Sequence, residues 1–143
     1  MAVALDEARE GLAEGGIPIG SCLVDANGFV LGKGRNRRVQ AGDPILHGEM
    51  DALRAAGRRK ASVYRSSTLY TTLSPCPMCT GAILLFRIPR VVIAENSTFL
   101  GAEDLLREQG VELVLLDLEE AKALMREFML RHPAIWNEDI GEE

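Results

Sequence analysis

Apolar and polar positions along the chain change their period several times, and each change marks a predicted element. From Ala2 to Glu14, apolar residues recur at helical spacing with charged residues between them, which predicts an amphipathic helix. Two runs rich in strand-forming residues follow, Ile17 to Val24 and Phe29 to Arg37. The Asn27-Gly28 dipeptide between them is typical of a hairpin turn, so the pattern predicts two paired antiparallel strands.

The rest of the chain is predicted to alternate between helices and strands. No clear period is present from Arg38 to Leu46, and we expect a loop there. The apolar run from Ala82 to Phe86 indicates a buried helix, and Val91 to Ala94 is typical of a strand buried on both faces. The other predicted elements are a helix that begins at His47, a strand over Ser67 to Leu73, a short helix before Gly110, a strand over Val111 to Leu116, a helix over Leu118 to Leu130 and a tail from Pro133 to Glu143.

This order of elements predicts an α/β fold. A hairpin followed by alternating helices and strands indicates a mixed five-stranded sheet covered by helices, which is a three-layer α/β/α sandwich. The chain has 143 residues and contains no repeat or linker, so we expect a single domain over residues 1–143.

Composition and charge narrow the class of partner. Hydrophobic residues make up 47% of the sequence and charged residues 26%, as in an ordinary globular protein. The formal net charge is -5, which argues against nucleic-acid binding, because contacts to phosphates require clustered Lys and Arg. A basic cluster does close the hairpin, and we interpret it as solvated charge rather than an RNA-binding patch; it consists of Lys33, Arg35, Arg37 and Arg38.

Neither a membrane span nor a disulfide is expected. No apolar run reaches the roughly 20 residues that cross a bilayer, and the N-terminus lacks a basic region followed by an apolar stretch. Two of the three cysteines are candidate metal ligands, which leaves Cys22 alone in an apolar run as a core residue. A chain without disulfides is typical of the reducing cytoplasm, where we expect this protein.

Three side chains have the chemistry and spacing of a zinc site. Cys76 and Cys79 are three residues apart at a predicted helix start, so both thiols lie on one face, where the helix N-terminus favours the thiolate that binds a metal. His47 begins another predicted helix. The only other His, His132, lies beside Pro133 in a charged segment, so no fourth ligand is evident. A zinc site with three protein ligands keeps a position for water, which is typical of a catalytic centre.

Glu49, two residues after His47, is interpreted as the group that takes a proton from this water and passes it to a leaving nitrogen. Three other interpretations stay open. The Cys-x-x-Cys pair could be a thioredoxin-like redox motif, the zinc could be structural with an undetected fourth ligand, and Glu49 could be a solvated helix-face carboxylate. The order His-x-Glu and then Pro-Cys-x-x-Cys favours catalysis, because it is the signature of zinc-dependent base deaminases.

On these motifs the chain resembles the cytidine-deaminase-like superfamily, and more closely the free-base cytosine deaminases of the fungal type. The resemblance runs almost from end to end, through Glu14 to Gly20, His47 to Glu49, Tyr70 to Cys76, Cys79 to Ala82 and Trp136 to Glu142. The last motif is the most informative, because the whole superfamily shares the zinc signature. The resemblance implies a cytidine-deaminase-like fold, one zinc ion per subunit, and a homodimer in which a C-terminal helix closes over the site.

The resemblance also implies roles for individual residues. His47, Cys76 and Cys79 match the zinc ligands, and Glu49 matches the proton shuttle. Asn36 and the Gly48 N–H match the groups that bind the carbonyl and ring N–H of the base. The Ser74 carbonyl and Asp139 match those that bind its amine. The positions that match the apolar walls are Ile19, Leu73, Phe99 and Trp136. From the residues alone, the two aromatic residues could be core, the Asn a turn residue and the Asp a solvated tail charge.

Two positions depart from the fungal relatives. Pro77 stands within the Cys-x-x-Cys where those enzymes have an acidic residue, and Asn137 stands where they have an aromatic residue. Other superfamily members have Pro at the first position, so zinc binding is not affected, whereas Asn137 bears on the choice of substrate.

The sequence therefore predicts hydrolytic deamination of a free nucleobase, with cytosine giving uracil and ammonia. Within enzymes, the alternatives are deamination of another amino-heterocycle, such as isocytosine, guanine or a pterin, and of adenosine in tRNA, which the acidic charge argues against. Outside enzymes, the chain could be a zinc-stabilised binding module without turnover. The expected partner is a small-molecule base, with no nucleic acid and no membrane.

Overall fold

The computed structural model describes all 143 residues of the chain. The elements follow in the order α1 (Ala2–Ala13), β1 (Gly20–Val24), β2 (Val30–Arg35), α2 (Arg38–Ala41), α3 (Gly48–Ala56), α4 (Ala61–Tyr64), β3 (Thr68–Leu73), α5 (Pro77–Phe86), β4 (Arg90–Glu95), α6 (Glu103–Glu108), β5 (Glu112–Leu115), α7 (Glu119–Arg131) and α8 (Pro133–Asp139).

The five strands form one mixed sheet in the order β2-β1-β3-β4-β5. The strand β1 is antiparallel to both of its neighbours, whereas β3, β4 and β5 are parallel. Parallel neighbours require crossover connections, and α5 and α6 supply them. Five of the six β4 residues are buried, as the apolar run predicts. The predicted mixed five-stranded sheet is therefore confirmed.

Helices cover both faces of the sheet, so the predicted three layers are also confirmed. On one face, α3, α5 and α6 contribute Leu53, Ile83 and Leu106 to a core cluster with the strand residues Leu69 and Val91. On the other face, α1 and α7 pack together over the sheet, and smaller apolar clusters lie beneath them. No helix is both long and apolar enough to span a bilayer.

Four local predictions are wrong or incomplete. Residues 38–46 contain the single turn α2, and one turn is too short for a period to appear in the sequence. The first strand begins at Gly20, because the backbone N–H of Ile19 bonds to the carbonyl of Ile17 rather than to a neighbouring strand. The α5 helix is buried on one face only, and Leu85 is 75% exposed. The tail from Pro133 contains α8, the C-terminal helix that the resemblance implies.

Candidate active site

Two helix N-termini bring the three candidate zinc ligands together. His47 and Cys76 are the N-cap residues of α3 and α5, and Cys79 lies in the first turn of α5. Neither N-cap side chain bonds to its own helix, so both are free to face the same point. The donor atoms of the three residues lie within 4.8 Å of one another. Contact between the two helix starts thus assembles one cluster from segments 29 residues apart.

The cluster fits one tetrahedral zinc ion. With metal–ligand distances of about 2.0–2.3 Å, a tetrahedral zinc separates its donors by roughly 3.5 Å. Cys76 Sγ and His47 Nδ1 are 3.5 Å apart, which matches this separation. The group contains no fourth His, Cys, Asp or Glu, so its composition is that of a catalytic rather than a closed structural site.

The pKa values of the three candidate ligands also bear on metal binding. Hydrogen bonds from Cys79 and then His47 lower the pKa of Cys76 to about 4, so this sulfur is a thiolate at neutral pH. Burial would lower the pKa of His47, but the hydrogen bond with Cys76 and the charge of Asp139 outweigh it and raise that pKa to about 9. The hydrogen bond with Cys76 raises the pKa of Cys79. A metal displaces the protons on these two residues, so its affinity decreases as the pH falls.

Glu49 points towards the cluster from the first turn of α3. The residue is 3% exposed, and its Oε2 accepts a hydrogen bond from Cys79 Sγ at 3.4 Å. Its Oε1 accepts a hydrogen bond from the Thr71 hydroxyl at 3.2 Å. Burial, together with the negative charge of Cys76, raises the pKa of this carboxyl. A carboxyl of this kind beside a metal is suited to accept and return protons.

A small cavity lies above Glu49 and the metal donors. Its volume is about 20 Å³, and its roof is formed by Phe99 and Trp136, whose rings meet edge to face with centroids 5.8 Å apart. The lining residues include nine of the predicted site residues and one further residue; they are Ile19, His47, Glu49, Leu73, Ser74, Cys76, Phe99, Trp136, Asp139 and Ile140. The structure therefore brings the predicted apolar walls and polar groups to one place.

Two predicted base-binding residues, Asn36 and Gly48, lie beside this cavity. Asn36 is completely buried; its Nδ2 donates to Asp139 Oδ1 at 2.8 Å, and its Oδ1 accepts from the Arg38 N–H at 3.0 Å. These bonds fix the amide and leave one donor and one acceptor position unused. Gly48 is the first residue of α3, so its N–H has no intrahelical partner. A Cβ there would lie 3.2 Å from the Ile19 carbonyl oxygen.

Asp139 joins α8 to the metal cluster. Its Oδ1 takes the Asn36 hydrogen bond and lies 3.5 Å from His47 Nε2, while its Oδ2 has no hydrogen-bond partner. Because His47 presents Nδ1 to Cys76, its other ring nitrogen faces this carboxylate, the usual arrangement for a metal-binding histidine. Burial raises the pKa of Asp139, although His47 and Asn36 oppose the shift.

Sequence reasoning missed two residues at the site. Ile140 lines the cavity four residues after Trp136, so helical spacing would have placed both on one face. Thr71 contacts Glu49 and alternates with Leu73 along β3, which would have placed both on one side of the sheet. The two departures from the fungal pattern lie outside the cavity. Pro77 is exposed, and the Asn137 side chain bonds to the backbone of Glu143.

Comparison with known proteins gives a consistent result. A model of the family described as the cytidine and deoxycytidylate deaminase zinc-binding region matches residues 1–95, which include all three metal donors and Glu49. The chain is 56% identical to a cytosine deaminase from Candida albicans over 140 residues, which are 98% of this chain and 93% of that protein.

Deaminases with a nucleic-acid substrate are also similar. A tRNA-specific adenosine deaminase from Streptococcus pyogenes is 41% identical over 108 residues, which are 73% of this chain and 67% of that one. A solved structure from a study of tRNA:A34 deaminases is 27% identical, with a TM-score of 0.74 over 87% of this chain and 96% of that one. The donor set, the buried carboxylate and these similarities all agree on a zinc centre.

Proposed function

The chain belongs to the cytidine and deoxycytidylate deaminase family, and on that basis we propose that it hydrolyses free cytosine to uracil and ammonia. One observation supports the chemistry most strongly: a buried carboxylate, Glu49, lies beside a cluster of three metal donors, and it lines one cavity together with two of them, His47 and Cys76. The choice of base is supported by the 56% identity to a cytosine deaminase over 98% of the chain.

Glu49 carries the proton transfers in this proposal. His47, Cys76 and Cys79 would hold the zinc ion, which would lower the pKa of a water so that this water can attack at neutral pH. Glu49 takes a proton from the attacking water and delivers it to the ring nitrogen beside the amino-bearing carbon. The water oxygen adds to that carbon. Glu49 then passes the second proton of the water to the amine, and ammonia leaves as the new carbonyl forms.

The remaining polar groups orient the base. The unused donor and acceptor of Asn36, together with the Gly48 N–H, suit the carbonyl and ring N–H of cytosine. The free Oδ2 of Asp139 and the carbonyl of Ser74 suit its amine, and Phe99 and Trp136 cover its faces. A site that hydrogen-bonds specific ring groups rejects bases that leave those groups unpaired.

The C-terminal segment favours a free base over a nucleoside. Trp136 and Ile140 of this segment line the cavity, whose volume of about 20 Å³ is room for about one water. Binding of a base therefore requires the lining side chains to move apart. A ribose attached to the base would need still more room, so we expect nucleosides to be rejected.

The charge distribution argues against the tRNA alternative. Most of the basic cluster that closes the hairpin is neutralised by acidic partners, whereas a tRNA site needs unpaired cations. Lys33 pairs with Glu7 at 2.7 Å, and Arg37 pairs with Asp51 at 2.8 Å. Arg35 is largely buried and pairs with Glu7 and Glu10 of α1 and with Glu14, which follows that helix.

We further propose that residues 1–143 form one catalytic domain that acts as a homodimer in the cytoplasm. Elements from both ends of the chain line the same cavity, and none of the three cysteines forms a disulfide. Leu85 and Phe86 are exposed neighbours on α5, an apolar surface that a second copy would cover. Sedimentation of wild type and Leu85→Glu would test this, and a wild-type monomer would contradict it.

Release of ammonia from a panel of free bases and nucleosides tests the function. Zinc-loaded protein is expected to deaminate cytosine and to leave cytidine and adenosine unchanged. Turnover of guanine or another heterocycle in place of cytosine would contradict cytosine as the substrate but support hydrolytic deamination of a free base. No turnover of any base would contradict the proposal and favour a binding module.

A further inference from the structure

Two buried carboxylates lie near the cavity but have no part in the proposed chemistry. Glu95 ends β4 and Glu103 begins α6, and they are 0% and 2% exposed. A buried carboxylate must be paired with donors, and both of these are. Neither belongs to the metal cluster, so their role follows from the groups that they hold in place.

Glu103 holds the residue that follows β3. Its Oε1 accepts hydrogen bonds from Ser74 Oγ at 2.8 Å and from Asn96 Nδ2 at 3.2 Å. Its Oε2 accepts one from Arg107 Nη2 at 2.9 Å on the outer side. The Ser74 hydroxyl in turn accepts a hydrogen bond from the Gly101 N–H at 3.0 Å. Ser74 is thus fixed from two sides by the segment 96–103.

The same segment packs backbone to backbone against the chain that leads into α5. The Ala102 N–H donates to the Pro75 carbonyl oxygen at 3.0 Å. A Cβ on Gly101 would lie only 1.9 Å from that oxygen, so only glycine permits this approach. The position of the segment is therefore coupled to the position of residues 74 and 75.

Glu95 orders the part of the segment that carries a cavity wall. Its carboxylate accepts hydrogen bonds from the backbone N–H groups of Ser97 at 2.7 Å and Thr98 at 3.0 Å. The next residue is Phe99, which packs edge to face against Trp136. One buried carboxylate therefore fixes the start of the segment, and Glu103 fixes its end.

We propose that Glu103 is a positioning residue for binding of the base, acting through the Ser74 hydroxyl on the Ser74 carbonyl and the Phe99 ring. This inference rests on the proposed function, which places both groups against the substrate. Glu103 contacts neither the metal donors nor Glu49, so its loss acts on affinity rather than on proton transfer. Breaking the Ser74–Glu103 bond is expected to raise the KM for cytosine roughly ten-fold and to change kcat less than about three-fold.

The test compares pairs of variants of the zinc-loaded full chain. Ser74→Ala and Glu103→Ala both remove the bond and are expected to raise KM. Glu103→Gln keeps the Oε1 acceptor that Ser74 uses but loses the Oε2 acceptor of Arg107, so it should raise KM less than Glu103→Ala. The double alanine variant should be no worse than either single variant, because both residues act through one bond. Asp104→Ala removes the neighbouring acid, whose side chain is 94% exposed, and serves as the matched control.

A second readout separates binding from turnover. Trp136 is the one Trp of the chain, so its fluorescence during titration with cytosine gives a dissociation constant for each variant. Zinc content is measured in parallel. Three results would each overturn the positioning role. The first is a wild-type KM and affinity in the alanine variants, and the second is additive losses in the double variant. The third is a lower kcat and zinc content at unchanged affinity for cytosine. If Glu103→Ala does not fold, the comparison of Ser74→Ala with Glu103→Gln decides the question.

Failure of the proposed function has a different signature. If wild-type protein neither binds nor deaminates cytosine, the function and this inference fall together. If wild type is active and the variants bind as tightly as wild type, the positioning role alone is refuted.

Discussion

Removal of the Asp139 carboxylate tests how α8 contributes to the metal site. The change Asp139→Ala takes away the group that lies 3.5 Å from His47 Nε2 and accepts the Asn36 hydrogen bond at 2.8 Å. His47 then loses the carboxylate that faces its Nε2 while its Nδ1 lies towards Cys76. Loss of such a supporting carboxylate typically weakens metal binding about 10- to 100-fold. The expected cost in zinc-binding free energy is therefore about 1.4–2.7 kcal/mol.

The same change leaves the buried amide of Asn36 without its partner. An unpaired buried donor costs about 1–3 kcal/mol, so the free energy of unfolding should also decrease. Asp139→Asn separates the effect of the charge of the carboxylate from the effect of its hydrogen-bond geometry. Both contacts are made by Oδ1, which the amide retains, so this variant should bind zinc with an affinity between those of wild type and Asp139→Ala.

Competition with a chromophoric chelator at fixed pH measures these zinc affinities. Glu138→Ala is the matched control, because Glu138 is an exposed acid on the same helix and contacts neither His47 nor Asn36. Equal zinc affinity in Asp139→Ala and wild type would refute the supporting role of the carboxylate. An equal loss in Glu138→Ala would show that only the net charge of the C-terminal segment matters.

Three further substitutions test other parts of the structure. Burial raises the pKa of the Cys22 thiol above its ordinary value of 9.0, so the unfolded chain loses this proton first and native stability should decrease as the pH rises through 9. In Cys22→Ala the decrease above pH 9 should be smaller, and an identical pH profile would contradict this. Phe128 is 1% exposed and Leu130 is 84% exposed. Denaturant unfolding should show a loss of about 3–5 kcal/mol for Phe128→Ala but at most about 0.5 kcal/mol for Leu130→Ala, and similar losses would refute the assigned burial. In Gly34→Ala the new Cβ would lie 2.4 Å from the Ala52 backbone nitrogen, so β2 and α3 must separate and the unfolding midpoint should fall. In Gly81→Ala the new Cβ meets nothing within 4 Å, so the free energy of unfolding should rise by about 1 kcal/mol. The reverse order of stability would contradict the packing of β2 against α3.

Local patterns in the sequence predict most of the fold, because the main elements are long enough to show their period. The apolar run before Asn96 forms the buried strand β4, and the Asn27-Gly28 dipeptide lies in the turn between β1 and β2. Elements of one turn, such as α2 and α4, show no period and are missed. The pattern also does not reveal that only one face of α5 is covered, since its apolar run continues to the exposed Phe86.

The site divides in the same way between local and distant contacts. The donor spacing of Cys76 and Cys79 follows from a helix start, and the sequence alone indicates it. The hydrogen bond between Asn36 and Asp139 joins residues 103 positions apart, and only the tertiary structure places them together. The Ser74–Glu103 bond joins different elements across 29 positions, and no short motif indicates it.

In the proposed reaction, Glu49 transfers protons beside a metal held by His47, Cys76 and Cys79. The direct test is the rate of ammonia release from cytosine by Glu49→Gln, measured together with zinc content and with wild type in the same buffer. Glutamine keeps the size of the side chain but cannot accept the proton, so kcat should fall by at least about 100-fold while zinc stays at one per chain. A zinc-loaded Glu49→Gln protein that deaminates cytosine at the wild-type rate would contradict the account.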